Sequence, residues 1–219
     1  MIITSYGLSC FKITSGERAV AFDPPSKKSS LKSPYFQTDM VLVSHDHDDH
    51  NGKEVLHGKN DEAPFVIDGP GEYEYKDISV LGVSSFHDDA EGKKEGKNTM
   101  YRMRFEDVIL LHMGDFGEKT LRNQTKEKLG EIDVLFLPIG GKTVLDAESA
   151  AKIANAIEPR IIIPMHYDNE GPKKKKDALK AFFDEMGIKE VKPETKFTFK
   201  KKDLPVDETK IIVLEPASS

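Results

Sequence analysis

The chain has 219 residues, 37% hydrophobic and 32% charged, with 32 Lys and Arg against 38 Asp and Glu for a formal charge of −6. Such a composition supports a packed core and excludes a disordered chain, and a mild negative charge without a basic tail gives no general attraction to nucleic acid or anionic membrane. One cysteine, Cys10, excludes an internal disulfide framework; no stretch approaches the ~20 apolar residues of a membrane helix, and the N-terminus lacks the basic and apolar regions of a signal peptide. A single domain over residues 1–219 in a reducing cytoplasm is the expectation.

Short apolar runs at Met1–Thr4, Leu8–Ile13 and Ala19–Phe22 predict a meander of strands, with Ser15 and Gly16 turning between the last two. Cys10 falls among the alternating residues of the second run and reads as a small buried hydrophobe. Pro24–Thr38 is rich in Pro, Ser and Lys and predicts a surface loop, with Tyr35 and Phe36 as its aromatics. Asp39–Val43 is the next strand, and it delivers Ser44, His45, Asp46, His47, Asp48, Asp49 and His50. Three imidazoles and three carboxylates in six positions at a strand end are hard to explain by packing, because these are the commonest nitrogen and oxygen ligands of divalent metals. An EF-hand is excluded by the missing Gly and terminal Glu.

One or two helical turns are expected over His50–Leu56, with His57 solvated beyond them. Strands follow at Phe65–Ile67, Glu72–Tyr75 and Ile78–Val83, then a mobile charged loop over Asp88–Asn98, and a hairpin of Thr99–Phe105 with Val108–Leu111. The remainder alternates helix and strand: helix Glu118–Leu129, strand Val134–Leu137, helix Asp146–Ile157 capped by Asp146, strand Arg160–Pro164, helix Lys173–Met186 stopped by Gly187, and strand Ile211–Leu214. The run Lys173–Lys176 reads as the solvated start of a helix before it reads as an anion trap.

His45 and His47, two apart on an extended segment, put their side chains on one side and can serve one ion; Asp49 and His50, entering a turn, can serve another. His87, Asp115 and His166 each follow an apolar strand, where residues distant in sequence gather into one crevice. His112 either enters that site or caps its strand.

The ordered set His45, His47, Asp49, His50, His87, Asp115 and His166 resembles the metallo-β-lactamase fold superfamily, and Gly69–Tyr73 with Pro164–Tyr167 resembles its compact branch of L-ascorbate-6-phosphate lactonase-like proteins. The resemblance implies an α+β fold, a four-layer αβ/βα sandwich with two sheets face to face and helices outside. Carried over residue by residue, it implies His45, His47 and His87 on a first ion, Asp49, His50 and His166 on a second, and Asp115 bridging them. Asp49 would also orient the attacking hydroxide, and Asp23 would hold a ligand histidine in one tautomer.

The function so implied is a binuclear metal-dependent hydrolase whose metal-bridging hydroxide attacks a small ester, lactone or phosphodiester. Zinc is favoured by the imidazole-rich set, with Mn or Fe as the other candidates. The expected partner is a small-molecule substrate rather than nucleic acid or membrane. A non-catalytic metal-containing metabolite-binding or regulatory protein, or a nuclease of the same fold, is the alternative.

Overall fold

Period-two alternation sets the first sheet. In the computed structural model, which describes residues 1–59, 62–167 and 172–217, β1 (Ile2–Ser5), β2 (Phe11–Ser15) and β3 (Arg18–Phe22) form an antiparallel meander, with Ile13 opposite Val20. β4 (Met40–Leu42) and β5 (Phe65–Ile67) add to β3 in parallel. Phe11, Ile13, Val20, Phe22, Met40 and Leu42 face the main core, while Ala21, Val41 and Val43 turn outward under Phe36, Val55 and Leu56. β3 and β4 therefore bury both faces, one between the sheets and one beneath loops.

The second sheet is built from β6 (Gly71–Tyr75), β7 (Ile78–Phe86), β8 (Lys97–Phe105), β9 (Val108–His112), β10 (Val134–Pro138), β11 (Ile161–Met165) and β13 (Lys210–Ile211). Its spatial order is β13-β11-β10-β9-β8-β7-β6. β9, β10, β11 and β13 run parallel, and β10 and β11 are buried at every position, as parallel strands covered on both faces must be. Helices α2 (Ala147–Ile157) and α3 (Pro172–Glu185) pack together beside β10, and α1 (Asn123–Leu129) buries Leu129 in the same core. Asp146 caps α2 by accepting from the Ser149 N–H at 2.8 Å. Two packed sheets with helices make the α+β sandwich expected.

Several local expectations change. The second strand begins at Phe11, because Gly7 (φ 97°) and Leu8 (φ 50°) turn the chain and the Cys10 N–H closes onto the Gly7 carbonyl. Cys10 is thus a buried turn residue rather than a strand residue. His50–Leu56 forms turns instead of a helix, since the Gly52 N–H donates to the Pro24 carbonyl at 2.7 Å and not to a carbonyl four residues back. The helix expected over Glu118–Leu129 starts only at Asn123; Glu118 is instead recruited by β7, accepting from the Phe86 N–H. Residues 88–96 wind about Asp88, whose carboxylate accepts from the N–H groups of Ala90, Gly92, Lys94 and Glu95. A short strand, β12 (Phe197–Thr198), closes the outer edge of β1; two residues carry too little periodicity to be seen in sequence.

Two polar contacts tie the sheets, one at each end of β4. The buried Tyr101 hydroxyl on β8 donates to the Val43 carbonyl past the end of β4 at 2.7 Å. Asp39, entering β4, accepts from the Ala19 N–H at 2.9 Å and from Lys76 of the β6–β7 turn at 3.0 Å. Burial pushes the Asp39 carboxyl up, but these donors outweigh it and hold it below its ordinary value.

Tyr101→Phe should leave a buried carbonyl short of its donor and cost about 1–3 kcal/mol in urea denaturation. Because the folded pKa of Asp39 is depressed, its stabilisation is present above the unfolded carboxylate range near pH ~4 and lost as pH falls below it. An Asp39→Asn variant should therefore lose less stability than the parent between pH 5 and 3, read from paired urea midpoints.

Candidate metal centre

One edge of the sandwich collects the chemistry. β3, β4 and β5 are parallel, so Asp23 and His45 follow neighbouring strand ends; β9, β10 and β11 are parallel, so Asp115 and His166 follow theirs. β7 is two antiparallel steps from β9 and brings His87 to the same edge. His45, His50, His87, Asp115 and His166 are all buried, while His47 is exposed and marks the open side.

Asp115 Oδ2 stands at the centre. His166 Nε2 lies 2.9 Å away, His87 Nε2 3.1 Å, His50 Nε2 3.3 Å and His45 Nε2 3.8 Å. His45 Nε2 and His47 Nδ1 approach to 3.0 Å. Two groups place donor atoms within 4.8 Å of one another: His45, His47 and His87, and His45, His50 and Asp115. Asp49, expected beside His50, belongs to neither group and accepts from the Ser29 hydroxyl.

The outward nitrogens fix which tautomer each ring adopts. His87 Nδ1 faces the Thr143 carbonyl at 3.1 Å; a carbonyl only accepts, so Nδ1 carries the proton and the Nε2 lone pair faces inward. His50 Nδ1 faces Asp23 Oδ2 at 3.2 Å, with the same result. The Ser44 hydroxyl lies 2.6 Å from Asp23 Oδ2 and gives its proton there, so at 2.9 Å from His45 Nδ1 it must accept. His45 also presents its Nε2 lone pair inward. The Ser44 N–H donates to Asp23 Oδ1 at 2.7 Å, so one buried carboxylate sets two rings, one directly and one through Ser44.

Lone pairs and a carboxylate converging on one buried point repel unless a positive charge sits among them. Protons can supply it. Burial pushes His50 down, yet Asp115 and Asp23 outweigh burial and raise it to about 10. Burial and the neighbouring His50 charge push His45 down to about 3. Burial raises the Asp115 carboxyl, but His50 and His166 hold it well below the usual carboxylate range. A divalent cation answers the same demand with more donors, and the chemistry of the set fits one: neutral imidazoles with inward lone pairs and an ionised carboxylate.

His112 is not part of this convergence. Its Nε2 meets the Ser9 carbonyl at 2.9 Å, its Nδ1 accepts from the Gly114 N–H, and its ring stacks on Phe22 at 4.7 Å. His57 is exposed, and Lys173, Lys174 and Lys176 project into solvent from the first turn of α3.

Four further residues support the set from around it, with roles that sequence pattern does not signal. Ser44 was visible within the run, but its relay depends on Asp23 arriving from another strand. Thr143 acts through a backbone carbonyl, which no side-chain pattern signals. Asn98 donates to the Met113 carbonyl and to Ser85 Oγ, each at 2.8 Å, and accepts from the Asp115 N–H at 3.0 Å. Ser9 reaches Asp115 Oδ1 at 3.4 Å. Close approach also matters: a Cβ on Gly114 (φ 57°) would lie 2.3 Å from Asn98 Oδ1, and one on Gly140 would lie 2.0 Å from the His166 carbonyl.

Comparison with known proteins places this geometry in context. The sequence profile of the beta-lactamase superfamily domain matches residues 2–166. A metal-dependent hydrolase from Thermococcus kodakarensis is 28% identical over 183 residues, covering 72% of this chain and 80% of the relative. Another from Listeria monocytogenes is 28% identical over 198 residues, covering 77% and 86%. Among solved structures, a Thermotoga maritima protein described as a Zn-dependent hydrolase of the metallo-β-lactamase superfamily aligns with a TM-score of 0.74 at 28% identity, over 97% of each chain.

Asn98→Ala should leave the Asp115 N–H and Met113 carbonyl unpaired in a buried place. A loss of about 2 kcal/mol or more is expected in urea denaturation, together with weaker metal retention, whereas Lys176→Ala, exposed on α3, should change neither.

Proposed function

The chain belongs to the beta-lactamase superfamily and is a metal-dependent hydrolase, and we propose that it works with two divalent ions on a small ester, lactone or phosphodiester. The observation that carries this reading is the inward convergence of Nε2 lone pairs on the ionised Asp115 carboxylate. In it His45, His47 and His87 would hold one ion and Asp49, His50 and His166 the other, with Asp115, whose Oδ2 lies within 3.8 Å of Nε2 atoms from both groups, serving both. When bound, the ions supply hydroxide near neutral pH and stabilise negative charge growing on the attacked centre.

The chain's own residues prepare that chemistry. Asp23, Ser44 and the Thr143 carbonyl hold the imidazole rings with their Nε2 atoms inward before any ion arrives, so an ion entering has only to replace the proton held at His50 and the rings need little reorientation. Substrate enters on the side of exposed His47, while buried His50 and Asp115 exclude bulk water beneath it. Asp49, on the turn beside that opening, is the residue proposed to orient the attacking oxygen. No Ser or Cys nucleophile is required, and the free thiol of Cys10 is buried in its turn.

Zinc is the proposed metal, because the donor set is dominated by imidazole and the Thermotoga maritima protein is described as Zn-dependent. No helix among the described residues is long and apolar enough to cross a membrane. A small molecule is the proposed partner in preference to nucleic acid, and a reducing cytoplasm, suited to an unpaired thiol, is the proposed location.

Protein purified without added metal should carry close to two equivalents of zinc by elemental analysis. Turnover across a panel of lactones, esters and phosphodiesters should vanish with chelator and return with metal. His47→Ala and Asp115→Ala should each abolish it; activity surviving both substitutions would sink the mechanism. Asp23→Asn turns an NH2 toward His50 Nδ1, favours the wrong tautomer, and should weaken metal affinity about 10–100-fold in competition with a chelator.

A further inference from the structure

Ser29 lies outside the converging set, on the loop between β3 and β4, and its hydroxyl is committed to Asp49, on the turn that carries His50. The Leu31 N–H donates to Ser29 Oγ at 2.9 Å, so the hydroxyl accepts on that side. Its single proton is left for Asp49 Oδ1, 2.5 Å away. The same loop is stitched to the turn that carries Asp49 and His50: the Ser26 N–H donates to the Asp48 carbonyl at 2.8 Å, and the Gly52 N–H donates to the Pro24 carbonyl at 2.7 Å. Ser26 and Ser29 therefore grip adjacent residues of one turn, one through backbone and one through side chain.

We propose that Ser29 is a positioning residue for Asp49, taking Oδ1 so that the carboxylate offers Oδ2 alone to the ion it shares with His50 and His166. The proposal rests on the reading of Asp49 as a ligand. Its physical content is rotational. A carboxylate free to turn about its last bond can chelate one ion through both oxygens or swing into water. One whose Oδ1 is engaged by an oriented hydroxyl binds through a single oxygen in a fixed direction. The Leu31 N–H supplies the orientation, because without it the hydroxyl proton would be free to rotate among acceptors. Loop and ligand are then coupled, so a displacement of residues 26–31 is transmitted to one ion and not to the other.

Cobalt(II) titration of chelator-stripped protein, followed by visible absorption, counts equivalents and reads their affinities without recourse to activity. The parent should bind two equivalents. Ser29→Ala should weaken one of them about 10–100-fold, leave the other and the urea midpoint unchanged, and be rescued by Ser29→Thr, which restores the hydroxyl. Asp49→Asn should weaken the same equivalent, and the double variant should lose nothing beyond Asp49→Asn alone. Unchanged affinities in Ser29→Ala would overturn the proposal, as would additive losses in the double variant. Loss of both equivalents with a lowered urea midpoint, the mark of a collapsed loop, would overturn it too. A parent that binds one equivalent would refute the two-ion reading separately. Ser29 would then be judged on that equivalent, supported if Ser29→Ala weakens it and Ser29→Thr restores it, and refuted if Ser29→Ala leaves it unchanged.

Discussion

The site depends on Asp23, a carboxylate with no exposure to solvent, held at φ 42° past the end of β3. Its two oxygens accept the Ser44 N–H, the Ser44 hydroxyl and His50 Nδ1. A buried charge is expensive unless every lone pair is used, and here each use also orders a neighbour. The Ser44 N–H contact fixes the start of the histidine run against β3. The hydroxyl contact forces Ser44 to accept from His45, and the imidazole contact leaves His50 Nε2 for the interior. The αL backbone at Asp23, costly for a residue other than glycine, is the strain tolerated to aim the carboxylate.

What Asp23 orders, Asp115 gathers. Four imidazole nitrogens within 3.8 Å of one carboxylate oxygen make a place with strong demand for positive charge and almost no water to share it. Protonation of His50 answers that demand in part, and a divalent cation would answer it more fully. Metal affinity, tautomer control and fold stability are therefore the same interactions seen from different sides. His112 shows the contrast: an imidazole equally buried, but with both nitrogens satisfied by backbone and its ring stacked on Phe22, serves packing. Two histidines at strand ends of one sheet edge thus differ in function because of what faces their nitrogens.

Loops that meet this closely need both freedom and clamps. Gly114 and Gly140 let the segments after β9 and β10 touch Asn98 and the His166 carbonyl at distances no side chain would permit. His166 itself is held at φ 54°, with its N–H donating to the Leu8 carbonyl across the sheets. The 24–38 loop lies over the histidine turn, and the 88–96 loop wraps the Asp88 carboxylate. Rigid ligands on ordered loops suit chemistry that relies on preset geometry, because reorganisation is then completed during folding.

Much of this was legible in the residues. The density of His45–His50 and the strand-end positions of His87, Asp115 and His166 are short-range signals, and the apolar runs at Ala19–Phe22 and Asp39–Val43 located β3 and β4. Apolar runs without alternation located β10 and β11, and the cap at Asp146 is written in its own side chain. Less legible were the turns at Cys10 and Gly52 and the late start of α1. The Gly52 N–H and the Glu118 carboxylate find partners far away in sequence, at Pro24 and Phe86, and local propensity carries no record of such partners, while the Cys10 turn closes on Gly7 inside an apolar run that reads as strand. The sequence by itself determined which donor atoms exist and that they would stand at strand ends, since composition and periodicity are local properties of the chain. Only the tertiary structure decided which nitrogen of each ring faces inward, that His112 stays out, and that Asp49 is held by Ser29, because each depends on two segments meeting within hydrogen-bond distance.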